Sequence, residues 1–327
     1  MFDKVSRRDA LLGGAALAAT TTLAGVGLSG PAQAAAPMPG PSRASHYRFK
    51  LGNFEITTTH DGFVQLDGPH PIFGQDQEEA AVHALLAENK LPPARFEIGF
   101  TPTIVNTGNE LVLFDAGNGA LRRPNAGSLR ARLEEAGYPA GSIDVIVLTH
   151  FHPDHIGGLM EDGQPAFPNA RYVTNAAEYD FWSPIEKASG PTERVGKLVQ
   201  SNVVPLAEKM SFIGDGQDVV SGISAIAATG HTPGHTVYHI ESEGKRFAIT
   251  GDTANHYVVS LQKPDWHVRF DMDKQAAADA RKKVFGLLAA DKVPFAGYHM
   301  PFPAVGYVDP LSGGGFRYVP ASYQLDL

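Results

Sequence analysis

From residue 47 the chain alternates apolar and polar positions: Tyr47, Phe49 and Leu51 are separated by Arg48 and Lys50, and Phe54 and Ile56 by Glu55. A period of two is the signature of a strand with one buried face, and Gly52-Asn53 between the two runs predicts a hairpin. A helix carrying Glu78, Ala81, Leu85 and Leu86 follows, and then a second hairpin, with strands over 103–106 and 111–114 about Gly108-Asn109. Leu129 and Leu133 among charged neighbours predict a helix over 128–136 closed by Gly137. The unbroken apolar run over 143–148 reads as a buried strand. The second half resumes with a strand over 171–174, a helix over 176–182 and a polar segment, 183–202, read as irregular. Strands over 223–228, 236–241 and 247–250 come next, then a helix over 273–290 with Val284, Leu287 and Leu288 on one side, and a strand near 294–298. Strand runs with interspersed helices and hairpins in both halves predict an α/β fold of two mixed sheets packed together with helices outside.

The polar residues at the strand ends are unusual. Residues 149–155 read T-H-F-H-P-D-H, which places three of the 13 histidines and an aspartate within six residues. After a strand end, His150 and His152 share one direction and Asp154 and His155 another, an arrangement suited to two metals. Further ligand-type residues close other predicted strands: His231 in T-G-H-T-P-G-H-T, Asp252 in I-T-G-D-T and His299 in G-Y-H-M-P-F-P. Three ligands per cation and one shared carboxylate account for these seven. With no cysteine in the chain, thiolate ligands and disulfides are excluded, so any metal is held by nitrogen and oxygen. Imidazole and carboxylate suit two divalent ions, zinc foremost, with iron, manganese and cobalt also compatible. Two such ions about 3.5–4 Å apart can share a hydroxide and polarise the P=O or C=O it attacks, the chemistry of a metal-dependent hydrolase.

Composition sets the remaining bounds. A chain of 327 residues with 43% hydrophobic and 19% charged residues can bury a full core, and 47–327 is read as one domain. The start differs in kind: S-R-R-D-A-L-L at 6–12 precedes an Ala/Leu/Gly/Thr run and the small-residue site Ala32-Gln33-Ala34. This predicts an export signal over 1–34 of the twin-arginine type and a linker over 35–46, hence a periplasmic or secreted protein with no stable membrane anchor after cleavage. Removing the signal's three cations and two anions takes the formal net charge from −8 to −9. That balance excludes nucleic acid as a partner and leaves a small-molecule substrate. A homodimer is left open.

H-F-H-P-D-H resembles the H-x-H-x-D-H signature of the metallo-β-lactamase fold superfamily, and Asp115 in L-V-L-F-D-A-G, His231, Asp252 and His299 fall in that superfamily's order. Within it the chain looks most like the methyl parathion hydrolase group, through G-G-L-M at 157–160, A-F-P-N-A at 166–170, D-F-W at 180–182, G-H-T-P-G-H-T at 230–236, H-M-P-F-P at 299–303 and F-R-Y-V-P at 316–320. The resemblance implies a four-layer αβ/βα sandwich. It implies that His150, His152 and His231 hold one metal, that Asp154, His155 and His299 hold the other, and that Asp252 bridges them. Asp154 and Asp252 are the catalytic carboxylates in this reading, while Asp115 and His235 stand behind the ligands and orient them. Trp182 corresponds to a pocket aromatic of the parathion-type enzymes, and Phe270 is a further candidate for an apolar wall. The chain departs from that group at Arg122-Arg123, where an aromatic is expected. It departs from acyl-homoserine lactonases at Asn255, where those carry a tyrosine, with His256 and Tyr257 following. A more polar pocket results. The expected activity is hydrolysis of a phosphotriester, ester or lactone by a metal-bound hydroxide, with an acyl-homoserine lactonase as the alternative. A β-lactamase and a non-catalytic metal-binding module stand behind both.

Overall fold

The computed structural model describes Met38 and residues 42–321. The expected export signal, 1–34, lies outside the described residues. The linker expected over 35–46 ends sooner, because His46 already pairs with Thr59 in the first strand.

Two seven-stranded sheets carry the domain. The first runs in the order His46–Leu51, Phe54–Thr59, Thr103–Asn106, Leu111–Phe114, Val145–Leu148, Arg171–Asn175, Met210–Ile213. Its two predicted hairpins form with Leu51 opposite Phe54 and Asn106 opposite Leu111, and its last four strands are parallel. The second runs Asp218–Val220, Ile223–Ala227, Thr236–Ser242, Lys245–Ile249, Phe295–Ala296, Val305–Pro310, Phe316–Pro320, with a single parallel pair at Lys245–Ile249 and Phe295–Ala296. Side chains from both sheets, among them Phe49, Val147, Tyr238 and Phe247, fill the space between them. The helices Leu129–Glu135, Ala176–Trp182 and Glu193–Asn202 cover the outer face of the first sheet, and Lys274–Asp291 covers the second. These are the four layers of an αβ/βα sandwich. Val145–Leu148 is buried at every position, as its unbroken apolar run requires.

The parallel pairs matter for function because they send several strands' C-terminal ends to the same rim, where α/β sheets place their sites. Val145–Leu148 delivers the His150 segment there, Lys245–Ile249 delivers Asp252, and Phe295–Ala296 delivers His299.

Several elements differ from expectation. The segment 183–202 is not irregular: it makes short turns at Ile185–Ala188 and Gly190–Thr192 and then the helix Glu193–Asn202. Gly196, which lowers helix propensity, is required by packing, since a Cβ there would lie 2.0 Å from the Lys187 carbonyl oxygen. In Lys274–Asp291 the buried stripe runs through Ala277, Arg281, Val284 and Leu288, and Leu287 falls outside it, 56% exposed. An antiparallel pair of Gly62–Leu66 with Phe96–Phe100, and the final pair of the second sheet, were not anticipated as strands. No helix of the described residues is long and apolar enough to cross a membrane.

Candidate metal centre

The structure gathers the seven predicted ligands at one point, in two groups that share a residue. His150, His152, His231 and Asp252 present ligand atoms within 4.8 Å of one another, and so do Asp154, His155, Asp252 and His299. In the first group three ring nitrogens converge: His152 Nδ1 lies 3.1 Å from His150 Nε2 and 2.9 Å from His231 Nε2, which is 3.2 Å from His150 Nε2. In the second group His155 Nε2 and Asp252 Oδ1 are 3.2 Å apart, yet both are buried without a hydrogen-bond partner. Buried nitrogen and oxygen lone pairs aimed at common points and otherwise unsatisfied are what a cation requires, so the residues fit a pair of divalent ions.

Four of the ligand imidazoles, His150, His155, His231 and His299, are oriented from behind. Thr149 donates its N–H to Asp115 Oδ1 at 2.8 Å and its hydroxyl to Asp115 Oδ2 at 2.9 Å, and His155 Nδ1 lies 2.8 Å from the same Oδ2. Asp115 holds this post with a left-handed backbone, φ 64°, a costly conformation for a residue with a side chain. His299 Nδ1 donates to the Gly99 carbonyl at 2.8 Å. His235 donates through Nδ1 to the Ala228 carbonyl and accepts the Asp252 N–H on Nε2 at 2.9 Å, so it anchors the bridging residue's backbone and is not among the grouped ligands. Assigning the Nδ1 proton to His155 and His299 leaves their Nε2 free toward the centre.

Two further carboxylates take part that sequence reasoning missed. Asp271 accepts from His231 Nδ1 at 2.8 Å and from the fully buried Arg281 at 2.9 Å. Glu178, inside the helix Ala176–Trp182, accepts the Phe151 N–H at 2.8 Å, the Thr232 hydroxyl at 2.7 Å and the Gly234 N–H at 2.8 Å. It therefore ties the His150 loop to the His231 loop. Neither position carries a sequence signal of its own: Asp271 lies in a connecting loop, and Glu178 resembles an ordinary helix-surface charge.

The charges follow from burial and neighbours. Burial lowers His152 to about 3, reinforced by the adjacent His231. Burial opposes the charge of His231 too, but hydrogen bonds to Asp252 and Asp271 outweigh it and raise that ring to about 9. For Asp252 burial is likewise outweighed, here by the imidazoles of His299 and His155, and the carboxyl stays well below its usual range.

Above the two groups opens a cleft of about 570 Å³. Its floor includes His152, Asp154, Asp252 and His299, and its walls include Ile98, Phe100 and Phe270. Arg122 lines it, with its guanidinium 5.3 Å from the Phe100 ring centre, whereas Arg123 turns away to Glu161 and the Gly127 carbonyl. Trp182 is corrected: it is 2% exposed and packed in the core beneath the first sheet's helices, so it is no wall of this cleft. Asn255 donates to Asp252 Oδ2 at 2.8 Å and faces a second cavity, of about 300 Å³, beside His299. His256 also lines that second cavity and not the cleft; its Nδ1 accepts the N–H groups of Val258 and Val259, at the start of a short helix, and burial lowers it to about 3.

The model of the metallo-beta-lactamase superfamily matches residues 101–296. Two solved structures resemble the chain over nearly their full length. One is AidC, a dizinc quorum-quenching lactonase in complex with its product, 26% identical with a TM-score of 0.78, covering 86% of this chain and 98% of that one. The other is the hydrolase AbOPH of the beta lactamase superfamily, 27% identical with a TM-score of 0.80, covering 87% and 100%. An N-acyl homoserine lactonase of a Bacillus species is 30% identical over 111 residues, 34% of this chain and 38% of the relative. A hydroxyacylglutathione hydrolase of Cereibacter sphaeroides is 30% identical over 147 residues, 43% of this chain and 46% of the relative. The chain thus spans less than half the length of these curated relatives.

Proposed function

Because the chain belongs to the metallo-beta-lactamase superfamily, we propose that it is a binuclear metal-dependent hydrolase, loaded with zinc, that cleaves lactones or carboxylic esters. The observation that carries this reading is the pair of four-residue groups joined at Asp252 and set on the floor of the cleft. His150, His152 and His231 would hold one ion, Asp154, His155 and His299 the other, and Asp252 both. When bound, two such ions acidify a water and polarise the carbonyl under attack.

The chain's own residues do the rest. Asn255 fixes the Oδ2 of Asp252 through its amide. Asp154, 15% exposed at the cleft floor where Asp252 is 4% exposed, turns its Oδ2 toward the ring nitrogens of His155 and His299, and its other oxygen would carry a proton from the attacking water to the departing oxygen. Phe100, Ile98 and Phe270 exclude water and hold the apolar part of the substrate. Lactones and esters stand ahead of phosphotriesters for two reasons. The dizinc lactonase covers nearly the whole fold at 26% identity, and Trp182, the aromatic that linked the chain to parathion-type pockets, is core.

A panel of lactones, aryl esters, phosphotriesters and β-lactams, assayed with zinc-loaded protein before and after chelation, tests the reading. Chelator-sensitive cleavage of a lactone or ester is the expected result. Turnover of none of the four classes would overturn it, and a phosphotriester cleaved ahead of the rest would restore the parathion-type alternative.

A further inference from the structure

Three guanidinium groups line the cleft: Arg122 from the loop after Asp115, Arg194 from the first turn of the helix Glu193–Asn202, and Arg269 from the segment before the long helix. They come from three separate parts of the chain, so no single local sequence preference accounts for their meeting. Among the described residues the carboxylates lining the same cleft are Asp154 and Asp252, both already members of the metal-type groups. Cations therefore outnumber anions there, in a chain whose formal net charge is −8.

The pairing of these arginines is as telling as their position. Among the described residues none of the three has a carboxylate within ion-pair distance, whereas most other described arginines do, such as Arg123 with Glu161 at 2.6 Å and Arg171 with Glu110 at 3.1 Å. Arg122 and Arg269 instead lie beside the aromatic walls, 5.3 Å from the Phe100 ring centre and 5.7 Å from that of Phe270. An acidic protein that brings three unpaired guanidiniums to one cavity, against apolar walls, has built a receptor for an anion with an apolar body.

We propose that the substrate is an anionic ester or lactone, whose carboxylate, remote from the scissile carbonyl, is held by Arg122, Arg194 and Arg269 while its apolar chain lies against Phe100 and Phe270. This rests on the hydrolase reading above and narrows it. Water adds to the carbonyl and the carbonyl carbon–oxygen bond breaks, giving a new carboxylate on the acyl side, an alcohol or phenolate that stays tethered when the substrate is a lactone, and a released proton; the remote carboxylate is unchanged.

The test compares mono-4-nitrophenyl suberate, whose carboxylate lies too far along the chain to close a small anhydride ring on its own ester, with the methyl ester of the same compound, using zinc-loaded protein. The expected ratio of kcat/KM, anion over methyl ester, is about tenfold or more at low ionic strength and falls steeply in 0.5 M salt. In the triple variant Arg122→Gln, Arg194→Gln, Arg269→Gln the ratio should drop to near one, and in the surface control Arg317→Gln it should not change. Calorimetric binding of hexanesulfonate, a poor metal ligand, against 1-hexanol supplies a readout without turnover, with the sulfonate preferred at least several-fold by wild type and not by the triple variant. A wild-type ratio at or below one, or a ratio unchanged in the triple variant, overturns the proposal. If neither ester is cleaved but the sulfonate preference is present and lost with the arginines, ester hydrolysis fails and the anion-binding cleft stands. If that preference is missing, the anion proposal fails whatever the protein hydrolyses.

Discussion

His231 is held from behind by Asp271: its Nδ1 lies 2.8 Å from Asp271 Oδ1, and the other oxygen of that carboxylate takes a hydrogen bond from the buried Arg281 at 2.9 Å. The guanidinium of Arg281 also donates to the carbonyls of Thr253 and Pro264, so one buried ion pair aligns a ligand of the first group and braces the loop that follows Asp252. Asp271→Asn should therefore weaken metal binding about 10- to 100-fold, the usual effect of losing a carboxylate behind a ligand histidine. It should also cost about 3–5 kcal/mol of stability, because it strands the charge of Arg281. Competition with a chromophoric chelator and thermal melts of the same samples measure the two effects. Wild-type metal affinity in the variant would show that His231 does not depend on Asp271.

Glu178 predicts a different failure. Its two oxygens receive three donors from two loops, and an amide in its place turns an N–H₂ group toward donors. Glu178→Gln should cost about 1–3 kcal/mol, the penalty of a buried polar group left without its partner. Because the loops it joins carry His150, His152 and His231, metal affinity should fall with stability. Urea unfolding with and without zinc reads both, and an unchanged midpoint in both conditions would contradict the tie.

For Trp182 the structure reverses the expectation of a pocket role. A side chain 2% exposed in the helix-side core should on truncation to alanine cost about 3–5 kcal/mol. The KM of whatever protein remains folded should stay within about twofold of wild type, since a core residue changes the amount of native enzyme and not its contacts. A several-fold rise in KM at unchanged thermal stability would return Trp182 to the substrate.

The ligand set was legible because each member follows a strand, and a chain that ends several strands at one rim brings such residues together whatever the loops do. The two hairpins were legible from Gly52-Asn53 and Gly108-Asn109 for a local reason, turn chemistry between alternating runs. What the sequence concealed depended on long-range contact. Gly196 reads as a helix breaker until the Lys187 carbonyl is seen pressed against it. Asp271 and Glu178 are ordinary acidic residues until the fold buries them opposite Arg281 and the two histidine loops. Trp182 misled in the opposite direction, because a motif fixes a residue's type but not which face of the helix Ala176–Trp182 turns to the core. The meeting of Arg122, Arg194 and Arg269 spans three distant segments, and no local pattern announces it.

Asp252 is the residue on which the binuclear account rests, because it belongs to both ligand groups. The most direct measurement is elemental analysis of zinc per chain in wild type and Asp252→Ala, made on the same samples assayed for lactone and ester hydrolysis. The account predicts two zinc ions per chain in wild type, fewer than one in the variant, and a fall in kcat/KM of about 100-fold or more that tracks the lost metal, as expected when a charge-stabilising centre is removed. An Asp252→Ala protein that keeps two ions per chain and near-wild-type hydrolysis would contradict it.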